Sequence, residues 1–163
     1  ITRALRKESR GNTIELFRTR PDDFEAILEA VVEPSRIVNV RTHDTQLTRL
    51  PRNLERFPKL LTLWLEAEPF DGTGLHTLAF PELRQLFLGG CRIVSLDREQ
   101  LAGFPALREL RAHGSALDDL DPRIIEVCPQ LQVVSIEDTP LAHDEPRMAA
   151  LKAQCPRLRW SFG

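Results

Sequence analysis

Few residues in this chain of 163 carry groups that could do chemistry. Glu66 and Glu137 are candidates for a carboxylate pair. His43 and His113 could serve as proton carriers, with His76 and His143 elsewhere, and Cys91, Cys128 and Cys155 are the thiols. Acid–base or nucleophilic catalysis needs such groups within hydrogen-bond reach or a few ångströms more. A structural zinc site favours closely spaced ligands of the Cys-x-x-Cys kind, and no such pair occurs. A phosphate-cradling glycine loop of the Walker type is also missing. Arginine outnumbers lysine, but acidic residues offset both and the net charge is −2, which argues against nucleic acid as partner. Whether the remaining candidates meet depends on the elements that carry them.

Those elements repeat. Leu83, Leu86, Leu88, Cys91 and Ile93 follow the spacing L-x-x-L-x-L-x-x-C-x-I, and the pattern recurs from Ile37, Leu60, Leu83, Leu107, Leu131 and Leu158, spaced 23, 23, 24, 24 and 27 residues apart. Each new unit after the first is announced by one tetrapeptide form: FPKL at 57–60, FPEL at 80–83, FPAL at 104–107, CPQL at 128–131 and CPRL at 155–158. The L-x-L alternation predicts a strand with one face buried. The inward pairs are then Val40 and Thr42, Leu63 and Leu65, Leu86 and Leu88, Leu110 and Ala112, and Val134 and Ile136. Between strands, SLDREQLAGF, DLDPRIIEVC and DEPRMAALKAQC predict one to three helical turns, and TRLPRNLERF and GLHTLAF predict shorter 3₁₀ segments. Asp121 before Pro122 is placed as a helix N-cap. Upstream, Gly11 and Asn12 signal a turn or hairpin arm, TIELFRT a strand, and PDDFEAILEAVVE a helix with Phe24, Ile27, Leu28 and Val31 on one face. Ile14 is aligned with Ile37 as the start of a cryptic first repeat.

This pattern resembles the leucine-rich-repeat superfamily, in particular its cysteine-containing and bacterial-type branches, which share the Phe/Cys-Pro-x-Leu junction and the Cys at the ninth position. The resemblance implies an α/β right-handed solenoid, with a concave parallel sheet and short helices or 3₁₀ turns on the convex side. Residues 1–36 are expected as an N-terminal cap, and 37–163 as about five repeats with a closing strand. The ninth position holds Thr45, Glu68, Cys91, Ser115 and Thr139. A glutamate does not suit an inward site, so residues 66–74 are expected to form an irregular excursion. The superfamily consists mostly of protein-recognition scaffolds. The resemblance therefore implies a binding module, with no cofactor and no metal.

With the repeat register in hand, the catalytic candidates separate. Glu66 and Glu137 share a column three strands apart, roughly 14 Å at about 4.8 Å per strand, and so do His43 and His113. Neither pair can hold one bond or one metal, and the four histidines read as solvated surface groups. The cysteines all fall on inward positions, where thiols act as small hydrophobes. An odd cysteine count, the absence of an Asn-x-Ser/Thr sequon and a polar start without an apolar signal run point to a reducing, cytoplasmic setting. No long apolar run suggests a membrane span.

The outward strand positions remain. The fifth-position column reads Arg41, Trp64, Phe87, Arg111 and Ser135, with Phe162 beyond; the third reads Asn39, Thr62, Gln85, Glu109, Val133 and Trp160. Aromatic residues flanked by arginine at exposed strand positions suit a recognition hot spot. The expected partner-binding residues are Arg41, Trp64, Glu66, Arg84, Phe87, Glu109 and Arg111. The second-position arginines Arg84, Arg108 and Arg159 should make one edge of the face basic, and Asp44, Glu66, Glu137 and Asp138 should make the other acidic. The expectation is a non-enzymatic module that binds a protein partner through its concave face, monomeric or part of a larger chain. The alternative is a structural, assembly or sensor module that binds through its ends or convex side.

Overall fold

The computed structural model describes residues 9–161, with side chains from residue 11. Ten strands form: β1 (Ser9–Arg10), β2 (Thr13–Phe17), β3 (Asn39–His43), β4 (Thr62–Glu66), β5 (Gln85–Gly89), β6 (Ser95–Leu96), β7 (Glu109–Arg111), β8 (Asp119–Leu120), β9 (Val133–Ser135) and β10 (Arg159–Ser161). The main sheet runs β1-β2-β3-β4-β5-β7-β9-β10, parallel throughout except for the β1–β2 hairpin. A small second sheet pairs β6 with β8. Helices Pro21–Glu29, Arg98–Leu101, Ile124–Val127 and Glu145–Gln154 and several 3₁₀ segments, among them Arg52–Arg56 and Leu75–Thr77, form the opposite layer. The solenoid read from the repeats is therefore present, with its core between the layers.

The junction tetrapeptide has a simple physical role. In every copy the leucine N–H donates to the carbonyl of the residue three before it: Leu60 to Phe57, Leu83 to Phe80, Leu107 to Phe104, Leu131 to Cys128 and Leu158 to Cys155, at 3.0–3.1 Å. This is a β-turn with proline at its second position, where the ring presets the required φ. The first residue of each turn is buried, and the rings of Phe80 and Phe104 stack at 6.0 Å. Toward the C-terminal end the phenylalanine gives way to cysteine. The Cys128 thiol donates to the Phe104 carbonyl at 3.5 Å, and that of Cys155 to the Pro122 carbonyl at 3.5 Å.

At the far end of each strand the chain turns through a left-handed residue: Arg18, Asp44, Ala67, Gly90, Gly114 and Asp138 all have positive φ. From Asp44 onward the next residue points inward. Ser115 Oγ donates to the Ala112 carbonyl at 2.6 Å, Thr139 Oγ1 to Ile136 at 2.7 Å, and Cys91 Sγ to Leu65 at 3.7 Å. A repeat of this kind cannot bury its own inner face, so each depends on its neighbours.

Four sequence expectations need correction. Glu68 is not excluded from the interior; it is 1% exposed. Both Asp44 and Gln46 are left-handed, which turns the Thr45 and Leu47 N–H groups into the core. The Glu68 carboxylate accepts from Thr45 N at 3.0 Å, Thr45 Oγ1 at 2.8 Å and Leu47 N at 3.1 Å. A buried acid with three donors is tolerated where an unpartnered one is not. Ile14 aligns with Val40 and not with Ile37, because the β1–β2 turn at Gly11 occupies the place of a junction. Asp121 is not the N-cap of the third helix: it accepts from Arg123 N at 2.9 Å in a turn one step earlier, and Ile124–Val127 starts after it. Asp97 and Asp144 do cap helices, Asp97 with Gln100 in a reciprocal box.

The fourth correction concerns the closing strand. Trp160 pairs with Val134 and Ser161 with Ser135, one residue out of the expected phase. Counted from the junction leucine, each strand position is reached one residue sooner than in the preceding repeat, and the shift turns the Trp160 indole onto the core at its open end. Ser161 thereby takes the column place assigned to Phe162, which lies outside the described residues.

Leu88→Ala should cost about 2–5 kcal/mol in urea titration, as a large-to-small change at a fully buried site. Glu68→Ser should cost about 3–5 kcal/mol although serine is native at the same position two repeats on, at Ser115, since the short side chain cannot reach the donors it would strand. Burial pushes the Cys91 and Cys128 thiols up to about 12, so neither should react with a thiol reagent in the native state. In denaturant all three cysteines should react; native labelling of Cys91 would contradict the burial.

Candidate concave-face recognition site

The in-register sheet turns the fifth-position residues into a continuous ladder. Arg41 pairs with Trp64, Trp64 with Phe87, and Phe87 with Arg111 across adjacent strands. The Trp64 and Phe87 rings stack at 4.3 Å with planes 13° apart. The Arg41 guanidinium lies 5.2 Å from the indole centroid and that of Arg111 5.4 Å from the phenyl centroid. The ladder ends in carboxylates: Glu15 lies 3.8 Å from Arg41, and Glu109 accepts from Arg111 Nε at 2.6 Å. Stacking and two cation–π contacts contribute about 1.5–3.5 kcal/mol in sum. Phe87 is only 6% exposed, covered by its neighbours. Trp64 is the ring with accessible surface, and its Nε1 donates to Glu66 at 3.2 Å.

The third-position column beside it is polar and also linked. Thr62 Oγ1 donates to Gln85 Oε1 at 3.1 Å, and Gln85 Nε2 to Glu109 Oε2 at 2.7 Å. Glu109 therefore joins the two columns. Of the residues expected to bind a partner, Arg41, Trp64, Glu66, Phe87, Glu109 and Arg111 form one connected patch. Arg84 stands apart. It lines a groove of about 850 Å³ at the strand entry edge, together with Arg108 and Arg159.

The N-terminal end of the face went unrecognised in the sequence. With Ile14 beside Val40, Glu15 falls next to Arg41 and Phe17 next to His43. The Phe17 and His43 rings stack at 5.1 Å, Arg18 lies over Phe17 at 5.1 Å, and Phe17 is 61% exposed. The alternation of Ile14 and Leu16 with Glu15 and Phe17 was the available signal.

The acid–base candidates are spread out. Glu66 lies 3.6 Å from His43 Nδ1. Glu137 accepts from the Ser161 hydroxyl. Between them on the column stand Gly89 and His113. A Cβ on Gly89 would come within 2.7 Å of the His113 ring, so His113 fills the gap that glycine leaves. His43 and His113 remain on separate parts of the column. Among the described residues, no three His, Cys, Asp or Glu side chains gather as a metal site, and no helix is long and apolar enough to cross a membrane.

Among solved structures the chain is similar to the leucine-rich-repeat domain of the type III effector XopL, with a TM-score of 0.67 and 22% identity over 98% of this chain and 55% of that one. It is also similar to a leucine-rich-repeat protein of Leptospira interrogans, with a TM-score of 0.45 and 16% identity over 80% of this chain and 45% of that one. The chain thus spans about half the length of these structures. No protein-family model and no curated protein matches it. The likeness to the XopL domain extends over nearly the whole chain and shows the fold: the stacked parallel strands described above are those of a leucine-rich-repeat solenoid.

Proposed function

We propose that the chain is a non-catalytic protein-recognition module whose concave sheet face binds a partner protein around Trp64. The observation that carries this is the Trp64–Phe87 stack, clamped between two arginines and lying on the outward side of the sheet, apart from the interior cluster. A half-exposed indole backed by a covered phenyl ring has the anatomy of an interface anchor with a wetter rim. Its neighbours are already fixed by ion pairs and hydrogen bonds, so little side-chain freedom is lost when a partner docks. Phe17 and His43 extend the same surface toward the N-terminal end. The large apolar residues exposed elsewhere, Val32 and Val94, stand singly, which gives an assembly role for the convex side less support.

Residues 1–36 serve in this proposal as the cap of the first repeat, supported by the β1–β2 hairpin and by Phe24 and Leu28 of the first helix, which close the core. The free, buried cysteines support a reducing, cytoplasmic setting, and a monomer or a module of a larger chain is the expected state.

The test uses peptides selected from a random display library on the wild-type protein. Trp64→Ala should weaken their binding by about 2 kcal/mol or more, roughly thirtyfold in Kd. Its own unfolding should stay cooperative, with a loss of about 1–2.5 kcal/mol from one stack and one cation–π contact. Unchanged binding together with a core-sized stability loss would make the aromatic pair structural and move the recognition surface elsewhere.

A further inference from the structure

The groove at the strand entry edge differs from the aromatic ladder in one respect: its positive charge is not cancelled. Among the described residues many arginines are matched at close range, for example Arg18 with Asp44, Arg56 with Glu29, Arg123 with Asp121, and Arg147 with Asp119. In the groove Arg111 is held by Glu109. Arg84, Arg108 and Arg159 are exposed, and among the described residues no carboxylate lies within ion-pair distance of any of them. Arg108 reaches only the neutral Gln130, at 3.5 Å. Among the described residues, three guanidinium groups thus line one wall with no carboxylate to balance them.

Their placement is regular. Arg84 immediately precedes β5 and Arg108 precedes β7 at the same register position, while Arg159 opens β10 one residue further along the strand direction, beside Val133, so that the three cross the strands in a slightly oblique row. Three strand steps of about 4.8 Å make a row of roughly 14 Å, the length of about five residues of an extended peptide at about 3.4 Å each. Guanidinium forks suit carboxylates, which they can grip with two parallel hydrogen bonds. Beside the arginines the groove is lined by Val133. At the opposite edge of the sheet, at the ends of β3, β4 and β9, stand Asp44, Glu66, Glu137 and Asp138, so the concave face carries a basic edge and an acidic edge. A long polyanion such as nucleic acid would meet the acidic edge. A short acidic strand confined to the arginine row would not.

We infer that the groove lined by Arg84, Arg108 and Arg159 binds a short, extended, acidic segment of the partner protein, lying across the strands with alternate carboxylates on the arginines. This deepens the concave-face proposal and rests on it: the aromatic ladder supplies the anchor, and the arginine row selects the charge and sets the orientation of what is anchored.

Fluorescence polarisation on the intact chain can separate the two. The probes are a labelled peptide of alternating Glu and Val, the same peptide with Gln for Glu, and a single-stranded oligonucleotide of equal charge. At low salt the Glu peptide should bind about tenfold or more tightly than the Gln peptide, and Arg84→Gln with Arg108→Gln should remove that preference, mainly by slowing association. Trp64→Ala should leave the Glu-to-Gln ratio intact even where it lowers both affinities. Equal binding of the two peptides would overturn the inference, as would an arginine double variant that keeps the preference or an oligonucleotide that binds more tightly than the Glu peptide. Library-selected peptides that depend on Trp64 but show no acidic enrichment would refute this inference alone and leave the aromatic anchor standing.

Discussion

In a parallel sheet that steps without offset, every residue stands beside its counterpart one repeat away, about 4.8 Å distant. A choice at one position is therefore a choice about two neighbours. Inside, this constraint selects leucine against leucine along Leu63, Leu86 and Leu110. Outside, it leaves a row of adjacent side chains that must either repel, ignore or hold one another. In this protein the fifth position holds: carboxylate, guanidinium, indole, phenyl, guanidinium and hydroxyl follow one another from Glu15 to Ser135. From Glu15 to Arg111 each group is attracted to the next, so that stretch of the face is ordered before anything binds to it.

The same constraint explains the buried acid. A turn with two left-handed residues, Asp44 and Gln46, exposes more N–H groups to the interior than one small hydroxyl could satisfy. The residue stacked beside Thr45 is Glu68, and only a side chain of that length reaches back to bond Thr45 and Leu47 together. In the later repeats the turns hold a single left-handed residue each, and Cys91, Ser115 and Thr139 suffice by bonding a nearby carbonyl. The ninth position is thus matched to the turn it must satisfy.

This distinction also marks how much could be read from the sequence. The proline turn is local: four residues specify it, so five repeats, their inward leucines and the contact of Trp64 with Phe87 were all legible. Glu68 was not, because its partners lie in the preceding repeat and a lone glutamate at an apolar position looks like an error until the donors are seen. The first strand lacked a junction tetrapeptide, and aligning Ile14 with Ile37 hid the neighbours of Glu15 and Phe17. The last strand has its tetrapeptide, yet Trp160 slipped by one place, since the need to cover the exposed end of the core outweighed the count of residues from Leu158. Both register errors fell at the ends of the solenoid, where one neighbour is missing and the repeat rule has least to hold it.

The placement of the two tryptophans has an optical consequence. With no tyrosine in the chain, its near-ultraviolet emission comes from Trp64 and Trp160. One indole sits half-exposed on the outward face, between a phenyl ring and a guanidinium. The other rests on the core at the last strand. The molecule therefore carries two intrinsic reporters in different surroundings, and replacing either with phenylalanine isolates the other. Quenching by a soluble ion then distinguishes occupation of the concave face from fraying of the terminal repeat, with no label attached.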